Sequence, residues 1–85
     1  MTSPVKLLVY SVHAKMRMSE RGVDEEDIRD AVRLPDITWP SGERPGGLEI
    51  RHKFADGRTL HVSIQPEADG ARHRVVTVYW IADTI

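Results

Sequence analysis

The stretch Leu48-Glu49-Ile50-Arg51-His52-Lys53-Phe54-Ala55-Asp56-Gly57-Arg58-Thr59-Leu60-His61-Val62-Ser63-Ile64 decides the architecture. Apolar and polar residues alternate on either side of Ala55-Asp56-Gly57, the period-two pattern of two strands joined by a tight turn. A two-residue Asp-Gly loop would set Ile50 opposite Ser63 and Lys53 opposite Leu60, mixing the faces. A three-residue loop with Gly57 left-handed sets Ile50 opposite Val62 and Leu48 opposite Ile64, and the hydrophobic pattern selects this register. One face then carries Leu48, Ile50, His52, Phe54, Leu60, Val62 and Ile64; the other carries Glu49, Arg51, Lys53, Thr59, His61 and Ser63.

Downstream, a polar turn from Pro66 to Ala71 leads into a last strand, about His73 to Ile81, which is apolar on both faces and therefore reads as central. If Val76, Val78 and Trp80 join the core face, Thr77 and Tyr79 join Arg51, Lys53, Thr59 and His61 on a basic, hydroxyl-bearing surface. The opposite parity would bury Thr77 and Tyr79 beneath the helices. Upstream, Ile37 to Trp39 reads as a short edge strand closed by Pro40, followed by a loop rich in Gly and Pro from Ser41 to Gly47.

The first third of the chain is helical. One helix is expected from about Ser11 to Arg21, with Ser11 as N-cap and Gly22 suited to the left-handed position after the last turn. A second begins at Asp24, carries Glu25, Glu26 and Asp27 in its first turn, staples Val23 to Ile28, and ends before Pro35. The acid cluster is cap and dipole chemistry. Val5 to Val9 reads as a short strand. The expected fold is α+β: two N-terminal helices packed on a three- to four-stranded antiparallel sheet, with room for an extra N-terminal strand.

Composition bounds the function. Eighty-five residues make one small domain with a modest core. No apolar run approaches the roughly 20 residues of a membrane span, and the N-terminus lacks the pattern of a signal peptide. The absence of Cys excludes disulfides, thiolate metal sites and a Cys nucleophile, and fits a cytoplasmic setting. A net charge of −1 argues against coating nucleic acid by bulk electrostatics. Most of the basic residues are Arg, whose planar fork matches phosphate.

On a helix of about 100° per residue, His13, Arg17, Glu20 and Arg21 share one arc. Val12 and Met16 flank it on one side, Ala14 and Met18 on the other, while Lys15 and Ser19 face solvent. Apolar flanks lower the local dielectric and strengthen the pull of His13, Arg17 and Arg21 on an anion. The same pattern also suits a stripe that borders the core, with Glu20 neutralising a guanidinium. RNA is cut without metal when a base deprotonates the 2′-hydroxyl, cations stabilise the phosphorane, and an acid protonates the leaving 5′-oxygen. His13 is the natural proton carrier, Arg17 and Arg21 grip the phosphate, and Tyr79 or His61 is the second carrier. Tyr79 and Trp80 alternatively stack a base, although Trp80 also reads as core. His52 reads as a satisfied core residue, and His61 and His73 as ordinary surface residues. No His pair has HxH or HxxxH spacing, so a metal site ranks last. No cofactor is expected.

The run His13-Ala-x-x-Arg17-Met18-x-x-Arg21-Gly22-Val23, followed by Glu25-Glu26-Asp27-Ile28, Asp56-Gly57-Arg58 and Val75-Val76-Thr77-Val78-Tyr79, resembles a family of small bacterial domains of unknown function. That family is grouped with the RelE and BrnT type ribonuclease toxins. The resemblance covers about residues 10 to 80. It implies a RelE-like fold, metal-independent cleavage of RNA, and a cognate antitoxin-like protein as partner. His13, Arg17 and Arg21 match the signature helix, and Thr77 and Tyr79 the last strand. Arg51, Lys53 and His61 are substrate-binding candidates from the face argument alone. The near-neutral charge departs from the strongly basic toxins of that group and favours the alternative, a non-catalytic module on the same fold that binds an antitoxin-like protein or RNA without turnover.

Overall fold

The computed structural model of the chain describes residues 7–81. In chain order the elements are β1 (Leu7–Tyr10), α1 (Val12–Arg21), α2 (Glu25–Arg33), β2 (Ile37–Pro40), β3 (Leu48–Lys53), β4 (Thr59–Pro66) and β5 (Arg72–Ile81). The hairpin takes the expected register, with Ile50 opposite Val62 and Leu48 opposite Ile64. Gly57 supplies the positive φ of 95° that the three-residue loop needs, and the Gly57 N–H donates to the Phe54 carbonyl.

Both helices start and stop for local reasons. The Ser11 hydroxyl accepts from the Ala14 N–H, and Gly22 turns the chain out of α1 at φ 65°. The Asp27 carboxylate accepts from the Asp24 N–H, closing the first turn of α2. Val23 and Ile28 are both buried.

The antiparallel sheet expected from the sequence is corrected: the sheet has five strands in the order β1-β5-β4-β3-β2, and it is mixed. β1 runs parallel to β5, with Leu7 opposite Arg72 and Tyr10 opposite Val75. The extra strand is thus a full member of the sheet. β1 gives the Arg72–Val75 stretch of β5 a backbone hydrogen-bonding partner on the edge away from β4. Of the strand expected at Val5 to Val9, Val5 and Lys6 lie outside the described residues.

A second correction concerns β5. Ser63 pairs with Thr77 but Ile64 pairs with Val75, so Val76 is an extra residue in the strand. This bulge changes parity halfway along β5. Val78 and Val75, not Val78 and Val76, are fully buried on the core face. The helices pack Ala14, Met18, Ile28, Ala31 and Val32 against that face, where they meet Ile50, Leu60, Val62, Ile64, Val75 and Val78. Among the described residues, no helix covers the other face.

Candidate functional site

α1 presents its charges at the border of the core. Ala14 and Met18 are buried, but Val12 is 79% and Met16 57% exposed, so the arc of His13, Arg17 and Arg21 has carbon packing on one flank only. The expected two-sided apolar frame does not form, because a helix lying on a sheet buries a single narrow stripe. The Arg17 Nε–H donates to His13 Nε2 at 3.3 Å, and an Arg17 amine lies 3.7 Å from Glu20. Arg21 closes the helix onto the sheet: its Nη1 donates to the Val78 carbonyl at 2.9 Å. In return the Trp80 indole N–H donates to the Arg21 carbonyl at 3.0 Å. β1 pairs only with Arg72 to Val75, so this contact lies on the part of the β5 edge that no described strand covers.

The helix-free face holds a different cluster. His61 is 4% and Ser63 6% exposed although no helix lies above them. Alternation from the core positions places Trp39, Glu49, Arg51, Lys53, Thr59, Thr77 and Tyr79 on this same face. Glu49 Oε1 accepts from the Ser63 hydroxyl and lies 2.7 Å from His61 Nε2. Burial pushes the Glu49 carboxyl up, but the hydrogen bonds from Ser63, His61 and Ser41 outweigh it and hold the group below the usual carboxylate range. An ionised carboxylate only accepts, so His61 Nε2 carries the proton. His61 Nδ1 then accepts from the Arg51 Nε–H at 3.3 Å. Every polar atom of the imidazole is used, which corrects its reading as an ordinary surface residue.

The imidazole also organises rings. It stacks on Tyr79 at 4.8 Å between centroids and 23° between planes, and it lies 5.6 Å from Trp39. The Arg51 guanidinium sits over the Trp39 ring at 5.1 Å. Arg51, Trp39, His61 and Tyr79 therefore form a row across four strands. His61 covers one face of Tyr79, and the opposite face looks away from β4 towards the uncovered stretch of the β5 edge.

Residues 10–80 match the family profile described as Domain of unknown function (DUF4258). The chain belongs to the DUF4258 family. No curated protein and no solved structure matches it significantly.

The candidate residues expected from the sequence are distributed over both sides of the sheet. His13, Arg17 and Arg21 lie on α1, on the core side, whereas Thr77 and Tyr79 lie on the helix-free face with Arg51, Lys53 and His61. Arg21, through Val78, bridges the two groups at the β5 edge. Trp80 belongs to the core side, where it packs edge-on to Phe54 with Arg58 over its ring. His52 points to the core side and lies 2.7 Å from the Leu34 carbonyl. Glu49, Ser63 and Trp39 were not singled out by sequence reasoning. Cross-strand pairing at Glu49 with Ser63 and at Arg51 with His61 was the signal that could have found the first two. No group of three or more potential metal ligands occurs among the described residues.

Proposed function

We propose that this domain binds single-stranded RNA across the helix-free face of its sheet. The observation that carries this reading is the row of Arg51, Trp39, His61 and Tyr79, in which buried His61 holds the half-buried Trp39 and Tyr79 rings in place, because aromatic faces stack on bases of any sequence while cations track the phosphates. Charge supports it. Among the described strand positions, Arg51, Lys53 and Arg74 share this face with a single carboxylate, Glu49, which is already engaged by Ser63 and His61. The acid-rich first turn of α2 lies on the other side of the sheet. A chain with net charge −1 thus offers a local positive surface rather than a global one.

Fluorescence anisotropy tests the reading, with a short single strand and its duplex in EDTA over a range of salt. Single strands should bind more tightly, with log K falling against log salt by about 0.7 for each phosphate neutralised. Tyr79→Ala and Arg51→Ala should each weaken binding about ten-fold. Absence of saturable binding at low salt, or wild-type affinity in both variants, overturns it.

Cleavage is the second reading. It is favoured by the exposed His13 with Arg17 hydrogen-bonded to it, and by the resemblance to RelE and BrnT type toxins. In this reading His13 carries the proton and Arg17 and Arg21 hold the phosphate, while Thr77 and Tyr79 serve binding from across the sheet. RNA incubated in EDTA with wild type beside His13→Ala separates the two. Products from wild type alone establish a metal-independent ribonuclease; binding without products leaves the binding module. With either reading go a cytoplasmic setting and an antitoxin-like protein as second partner.

A further inference from the structure

Beside the ring row, where β3 turns into β4 and β5 ends, the surface sinks into a depression of about 640 Å³. Arg51, Lys53 and Thr59 line it together with Ile37, Phe54 and Ile81. Its size falls within the range of about 300–1,000 Å³ typical of small-ligand sites. We infer that this depression takes a phosphomonoester with its attached nucleoside, either a free nucleoside monophosphate or the phosphorylated end of an RNA strand. The RNA-end form rests on the RNA-binding reading above; the free nucleotide does not.

The attraction is electrostatic first. Arg51 and Lys53 stand two residues apart on the same face of β3, and Thr59 lies directly opposite Lys53. Lys53 enters no ion pair among the described residues. The Arg51 guanidinium is held in place, its Nε bonded to His61 and its plane over Trp39, so little side-chain entropy remains to be lost on binding. A phosphomonoester carries about −1.5 to −2 charge at neutral pH, against −1 for a phosphodiester within a strand. Two cations side by side therefore favour an end over an interior linkage. Ile37, Phe54 and Ile81 offer the apolar contact that a ribose and base need and that inorganic phosphate cannot use. Asp36 also lines the depression, but its carboxylate accepts from the Lys53 N–H at 2.6 Å and lies 3.7 Å from His52 Nδ1. That acid limits affinity without filling the depression.

The test has two arms. In the first, adenosine monophosphate, adenosine and inorganic phosphate are each titrated into ¹⁵N-labelled protein. The monophosphate should shift the Lys53, Ala55 and Thr59 amides and bind about ten-fold more tightly than adenosine or phosphate. In the second, anisotropy compares one RNA sequence with phosphorylated ends, with hydroxyl ends and as a closed circle. An end preference of about ten-fold that shrinks to within about two-fold in Lys53→Ala assigns the strand end as ligand. Monophosphate binding with no RNA binding keeps the site and removes the RNA reading. Equal affinity for all three RNAs, together with no amide shifts from the monophosphate, overturns the site while leaving RNA binding standing.

Discussion

On the helix-covered side of the sheet, Leu60, Val62, Ile64, Val75 and Val78 lose contact with water because α1 and α2 lie on them. On the other side His61 and Ser63 are buried nearly as deeply with no described helix above them. There the cover consists of neighbouring side chains: the Tyr79 ring stacked on His61, Trp39 beside it, and Glu49 and Arg51 bonded to it. Carbon packing is non-directional and proportional to area. A polar cluster holds only if each donor finds its acceptor. The first side is therefore a general scaffold, and the second a specified surface.

Four substitutions sharpen that difference. Leu60→Ala should cost most, about 2–5 kcal/mol, by leaving a cavity under the helices. Chemical denaturation reads this, and RNA affinity per folded molecule should not change. Glu49→Gln should cost about 1–3 kcal/mol, since an amide accepts the Ser63 and His61 hydrogen bonds less strongly than a carboxylate and brings unpaired donors of its own. Its pH dependence has a fixed sign. The Glu49 carboxyl lies below its usual range in the folded chain. Its ionisation thus stabilises the fold above the unfolded value of about 4.3, and that contribution is lost as pH falls through the lower folded value. The gap between wild type and Glu49→Gln should be widest near neutrality and narrow in acid; a gap that widens in acid would contradict the cluster. Tyr79→Ala should cost less than about 1.5 kcal/mol of stability, because the ring is only half-buried and caps a cluster that keeps its hydrogen bonds, yet it should lower RNA affinity about ten-fold. Asp30→Asn, which removes the exposed ion pair with Arg33, should change the melting free energy by no more than about 0.5 kcal/mol.

The hairpin and the helices were legible because their signals are local. Alternation and turn length fixed the register of β3 and β4, and Ser11, Gly22 and Asp24 marked the helix ends. The parity of β5 was legible only in part. Thr77 and Tyr79 fall on the polar face, one of the two parities the sequence leaves open, and Val75 replaces Val76 in the core because nothing in the run Val75-Val76-Thr77-Val78 marks the bulge. On α1 the spacing correctly grouped His13, Arg17 and Arg21, yet it could not show that Val12 and Met16 stay in solvent. A helical arc fixes which residues are neighbours, not which of them meets the sheet.

The helices, the hairpin register, the caps and the basic character of one sheet face follow from the amino-acid order alone, since each rests on contacts or alternation a few residues apart. Long-range packing sets the rest: β1 joins β5 in parallel, His61 is enclosed between Glu49, Arg51 and Tyr79, and the helix charges and the strand hydroxyls stand on opposite sides of one sheet. Those outcomes depend on which distant segments share an edge or a face, and long-range pairing is set by the summed burial of the whole chain rather than by any local pattern.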